Sequence, residues 1–137
     1  MAYQWDSSLE TGYELIDNQH KQLIIALNNL LDACRNGKGS EEVKKTMDFL
    51  TGYTVKHFSD EEKLQKQYKY PDYFIHKQYH DDFKVTVGKL TEKVIQDGPT
   101  EEVIGLVSTS IGGWLLNHIK GDDFRMAVYI KAQRGES

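Results

Sequence analysis

Residues 43–64 read VKKTMDFLTGYTVKHFSDEEKL, and this stretch decides the fold. Val43, Met47, Leu50, Thr54, His57, Glu61 and Leu64 recur in steps of 4, 3, 4, 3, 4 and 3. A strand would alternate every second residue, whereas this spacing draws one stripe down an amphipathic helix. Its mean period, close to 3.5, favours left-handed, near-antiparallel packing against other helices. Two members of the stripe are out of character. A core built only for stability would carry aliphatic residues where His57 and Glu61 stand, because an unpaired buried carboxylate is strongly destabilising.

The same stripe recurs on either side. Ile16, His20, Leu23, Leu27, Leu30 and Cys34 form one, and His76, His80, Phe83, Val87, Leu90 and Val94 another. Val103, Val107, Ser110 or Ile111, Trp114 and His118 form a fourth. Punctuation separates them. Gly37 and Gly39 offer a left-handed stop to the first helix. Ser40 caps the second, with Glu41 and Glu42 at its positive end. Pro71 opens the third at a first helical position, and Asp97-Gly98-Pro99-Thr100 closes it and caps the fourth. The expected helices span 17–36, 40–67, 71–96 and 100–120. Connections this short make successive helices antiparallel neighbours. The expectation is an all-α, up-down-up-down four-helix bundle forming one domain over residues 1–137. An irregular arm over 1–16 precedes it, and a short helix near 122–133 follows.

The bulk properties narrow the function. The chain has 137 residues, 17 Lys plus Arg and 21 Asp plus Glu, for a formal charge of −4. An acidic chain without basic runs gives no footprint for nucleic acid or a membrane surface. No apolar run is long enough to span a bilayer. Met1 to Asp6 lack the basic start and apolar stretch of a signal peptide. Cys34, the one cysteine, has no internal disulfide partner and reads as a small buried hydrophobe. A reducing cytoplasm fits all of this.

All five histidines fall into one pattern with two carboxylates: His20, His57 with Glu61, His76 with His80, and His118 with Asp123. Imidazole plus carboxylate suits iron, zinc or copper. Seven such ligands are too many for one ion and about right for two held close by bridging carboxylates. The i,i+4 pairs place both side chains on one helix face, one turn apart. His118–Asp123 breaks that rule, because five residues advance about 500° and leave the side chains roughly 140° apart on a regular helix. The helix must break or carry a π-turn there, and Gly121 lowers the cost of either. The acidic runs Asp60-Glu61-Glu62 and Asp81-Asp82 read as solvated faces, Glu61 excepted.

With these residues the chain resembles the hemerythrin family, its bacterial branch in particular. The likeness runs through Trp5-Asp6-Ser7-Ser8-Leu9, Gly12, Ile16-Asp17-Asn18-Gln19-His20-Lys21, His57-Phe58, Glu61-Glu62 and Tyr70-Pro71. It continues through His76, His80, Phe83, Trp114-Leu115, His118-Ile119 and Asp123. The resemblance implies two irons bridged by Glu61, Asp123 and an oxo or hydroxo group. One iron takes His76, His80 and His118. The other takes His20 and His57 and keeps a position for dioxygen or a small anion such as azide. Leu23, Phe58, Trp114, Leu115 and Ile119, beside the ligands or one turn away, are the expected walls of an oxygen pocket. Reversible oxygen carriage, storage or delivery is the leading expectation, and no enzyme activity is assigned. An oxygen or redox sensor, a peroxidase, or an O2- or NO-scavenging enzyme could use the same ligands. No protein partner can be read from the chain.

Overall fold

A computed structural model describes residues 3–37 and 40–135, apart from the side chain of Ser40. The expected caps at Gly39 and Ser40 therefore fall outside the described features. Helices α1 (Glu14–Arg35), α2 (Ser40–Gln67) and α3 (Tyr73–Asp97) precede a fourth helical column. That column is built from α4 (Glu101–Leu106), a π-helical stretch Val107–Gly113, α5 (Trp114–His118), a second π-helical stretch Ile119–Asp123 and α6 (Phe124–Gln133). The joints within it all keep right-handed helical dihedrals, so the column runs on unbroken. α1 packs on α2 and on the fourth column, and so does α3, which gives the four-helix bundle the stripes predict. Among the described residues no helix is long and apolar enough to cross a membrane.

The ends of the helices follow local chemistry. Asp17, in the first turn of α1, accepts from Thr11 N, Thr11 Oγ1 and Gly12 N at 2.9, 2.7 and 3.2 Å. It ties the arm to the positive end of the helix. α1 starts three residues earlier than expected because of this tie. Gly37, with φ 66°, is the left-handed stop that ends α1. Thr100 caps α4 by accepting from Val103 N at 3.2 Å. The start of α3 differs from expectation. Pro71 lies in a turn and the helix begins at Tyr73. Lys69 there takes a left-handed φ of 54°, and Tyr70 N donates to Gln65 O at 2.8 Å. The chain must reverse before proline's preset φ can start a helix.

The arm is not irregular throughout. Ser7–Leu9 forms a 3-10 turn capped by Asp6. Leu9 is buried with Ile24 and Ile119 in the groove between α1 and the fourth column. Tyr3 pins the arm's start. Its N–H donates to Asn28 Oδ1 at 2.9 Å and its carbonyl accepts from Asn28 Nδ2 at 2.7 Å. Its hydroxyl donates to Ser108 O at 2.9 Å, inside the first π-helical stretch. A π-turn displaces carbonyls from the regular ladder, and Tyr3 supplies a donor to one of them. A Cβ on Gly112 would stand 2.5 Å from the Tyr3 hydroxyl, so the ring needs glycine there.

Candidate metal centre

One end of the bundle is closed by aliphatic side chains: Leu30, Leu31, Met47, Leu90 and Val94. Towards the other end the stripes of all four helices turn polar at once. His20 comes from α1, His57 and Glu61 from α2, His76 and His80 from α3, and His118 and Asp123 from the fourth column. All seven are buried, none more than 4% exposed. Their ligand atoms form two sets, each within 4.8 Å: Glu61, His76, His80, His118 and Asp123, and His20, His57, Glu61 and Asp123. Glu61 and Asp123 belong to both.

The π-helical stretch Ile119–Asp123 solves the spacing problem. A π-turn closes i→i+5 and brings residues five apart onto one face. His118 Nε2 thereby comes within 3.2 Å of Asp123 Oδ1. Asp122, four positions after His118, also closes on the same side, and its Oδ2 accepts from His118 Nδ1 at 2.9 Å.

The buried polar atoms fit a metal. Both Glu61 oxygens, Asp123 Oδ1, His57 Nε2 and His76 Nε2 have no hydrogen-bond partner in the core. That is costly unless a cation serves them. His80 and His118 make the case most sharply. Each gives its Nδ1 hydrogen to a carboxylate, Glu62 and Asp122, at 2.9 Å. In the neutral rings both Nε2 atoms then carry bare lone pairs, yet they face each other at 3.1 Å. A shared positive charge between them removes the repulsion.

Electrostatics point the same way. Burial pushes the His57 and His76 imidazoles down, but Glu61 and Asp123 more than offset it and raise both to about 9. Burial likewise lowers His118, and Asp123 with Asp122 lifts it to about 10. His20 also ends raised, through Asp123 and Glu61. Burial and mutual repulsion raise Glu61, and His57 with His20 then hold it well below the usual carboxylate range. Asp123 is held low against burial by His118 and His20. The cage attracts positive charge strongly, as a protonated or a metal-filled site.

The expected pocket residues divide. Phe58 stacks on His80 with ring centres 3.8 Å apart, and Trp114 on His118 at 4.4 Å. Both therefore back the three-histidine side, although Phe58 also lies 6.0 Å from His57. Leu23 and Leu115 are buried in the main apolar core. Ile119 joins the cluster under the arm. Sequence reasoning missed the residues that hold the imidazoles from behind. In the sequence pattern Glu62 and Asp60 read as part of a solvated face, and nothing gives Asp122 or Gln19 a role there. The available signal for Asp122 was its i,i+4 spacing from His118.

A model of the hemerythrin HHE cation binding domain matches residues 11–130 of this chain. The chain belongs to the hemerythrin family. The bacteriohemerythrin of Pseudomonas aeruginosa is 33% identical over 130 residues, which cover 95% of this chain and 80% of the relative. The myohemerythrin of Theromyzon tessulatum is 35% identical over 123 residues, 90% of this chain and 89% of its own. The crystal structure of a hemerythrin leucine-to-tyrosine mutant aligns with a TM-score of 0.80 at 27% identity, covering 95% of this chain and 98% of that one. Hemerythrins bind dioxygen, and the buried cluster of this family member fits a metal site.

Proposed function

We propose that this protein, a single domain over residues 1–137, binds dioxygen reversibly at a two-iron centre. It would act as a carrier, store or delivery protein in a reducing cytoplasm. The observation that carries this reading is the pair of overlapping ligand sets that share Glu61 and Asp123. Two carboxylates common to both sets suit a bridged ion pair. The sets are unequal. His76, His80 and His118 serve one ion, and His20 and His57 serve the other, which is left one histidine short. That shortfall is the position offered to dioxygen, or to azide.

When bound, the two irons supply the electrons with which dioxygen is taken up and which return to them on release. The chain's own residues do the rest. The carboxylates of Glu61 and Asp123 offset the ions' charge in a dry interior, where electrostatic terms are strong. Leu23, Leu115, Ile119 and Phe58 shut water from the centre, and Trp114 fixes His118 by stacking. No acidic side chain other than the ligands themselves and the carboxylates behind their rings is needed. An apolar wall over the open position slows loss of the electrons to product and favours carriage over turnover.

Stopped-flow mixing of the reduced protein with dioxygen, followed by deoxygenation, tests the reading. The expected result is a coloured form that bleaches on deoxygenation, at two irons per chain by elemental analysis. Steady oxygen consumption with a reductant, or one metal per chain, overturns it. Leu115→Glu should raise the autoxidation rate at least tenfold by admitting water and a proton. Unchanged autoxidation with a lowered melting point removes Leu115 from the pocket.

A further inference from the structure

The imidazoles on the two sides of the cluster are held from behind by different chemistry. His80 and His118 each donate Nδ1–H to a carboxylate, Glu62 and Asp122. His57 instead meets the amide oxygen of Gln19, with Nδ1 to Oε1 at 2.7 Å. Gln19 is 5% exposed, a buried polar residue on α1 next to His20. Its own amide nitrogen donates to Asp60 Oδ2 at 2.8 Å, and Lys56 Nζ holds Asp60 from outside at 3.0 Å.

This chain of contacts has only one consistent arrangement of hydrogens. An ionised Asp60 accepts only, so the NH2 of Gln19 must face it. The amide oxygen then faces His57 and must accept. His57 therefore carries hydrogen on Nδ1, so that Nε2, 3.3 Å from Glu61 Oε2 and 3.9 Å from Asp123 Oδ2, is the nitrogen left to take a proton or a metal ion. The partner of the far ring nitrogen also sets donor strength. A carboxylate draws the Nδ1 proton towards itself and makes the opposite nitrogen a better donor, and a neutral amide does so less.

We propose that Gln19, oriented by Asp60, is a positioning residue that fixes the His57 tautomer and keeps the ion at His20 and His57 the more weakly held and more Lewis-acidic of the two. This rests on the two-ion reading above. It adds a reason for the asymmetry beyond ligand count. On the side facing small exogenous ligands His57 is backed by an amide and His20 Nδ1 has no hydrogen-bond partner, whereas on the other side His80 and His118 are backed by carboxylates.

Cobalt(II) titration of the metal-free protein, followed by absorbance, tests this without oxygen chemistry. Imidazole 15N spectra of the zinc-loaded protein report the tautomer. The wild type should bind two ions in two steps, with hydrogen on His57 Nδ1. Gln19→Leu should leave the first step unchanged, weaken the second about 10- to 100-fold, and disturb the His57 ring signals. The double change Gln19→Glu with Asp60→Asn reverses the relay while keeping its hydrogen bonds. It should tighten the second step and lower azide affinity in the ferric protein. A loss of packing alone would not produce that opposite shift. Both steps moving together, neither moving, or a double variant that behaves like Gln19→Leu overturns the proposal. A wild type that binds one ion removes the two-ion reading itself, an outcome seen before any variant is compared.

Discussion

The two ends of the bundle are equally buried and follow the same spacing, yet they hold together by different physics. Around Leu30, Leu31, Met47, Leu90 and Val94 the core is aliphatic. Burial of each such side chain stabilises by about 1.5–3 kcal/mol and needs no partner. Around His57, Glu61 and Asp123 the same stripe positions hold groups whose burial costs energy until positive charge arrives. The difference teaches that a heptad pattern specifies where a core lies and not what makes it stable. One end is self-sufficient, and the other needs positive charge, from protons or a cation, to offset its buried carboxylates.

Metal removal should separate the ends most. A bound ion stabilises by about 4 kcal/mol when its free concentration is a thousandfold above Kd. Metal removal should therefore lower the melting point steeply. Hydrogen exchange should show protection lost first at 57–61 and 118–123 and retained at 43–50. Uniform loss along α2 would break the distinction between the ends.

Leu30→Ala probes the other end. Leu30 is fully buried, so the change should cost about 2–5 kcal/mol in urea unfolding. The cost should be the same with and without metal, and the metal stoichiometry should not change. A cost that appears only in the loaded protein would mean the ends are coupled.

A pH series sharpens the comparison further. In the protein without ions, His57 and His76 sit at about 9 and His118 at about 10, above the unfolded value of 6.5. Raised folded-state values contribute stability that is fully present below pH 6.5. It is lost as pH climbs through 9 to 10, by at most about 1.4 kcal/mol per pH unit for each titrating group. Urea midpoints of chelator-treated protein should therefore fall between pH 7 and 10. The loaded protein, with ions in place of those protons, should stay flatter. Parallel curves would show that the cage does not depend on the charge it lacks.

The smallest effect lies in the turn beside the polar end. Lys69 holds a left-handed φ of 54°, which costs a side-chain residue roughly 1 kcal/mol. Lys69→Gly should raise stability by about that amount, partly offset by glycine's greater freedom when unfolded. Tyr129 Oη donates to the backbone carbonyl of this residue and keeps its partner. A destabilised variant by thermal melting would show that the lysine side chain matters there.

Much of this is legible in the sequence. The helical stripes, the glycine at 37 and the threonine cap at 100 all state local preferences, and local preferences survive folding. The gathering of five histidines and two acids into buried positions was readable for the same reason. So was the need for a wide turn between His118 and Asp123, because the angular arithmetic of one helix involves no neighbour. The sequence by itself determined which faces would be buried and which side chains would meet. Only the tertiary structure decided what stands behind each imidazole and where the arm lies. Gln19 reaches His57 across two helices, and Tyr3 reaches the widened turn at 107–113 from more than a hundred residues away in the chain. Periodicity is a property of one helix, whereas those contacts depend on how each helix is rotated and shifted against its neighbours, which no single stripe encodes.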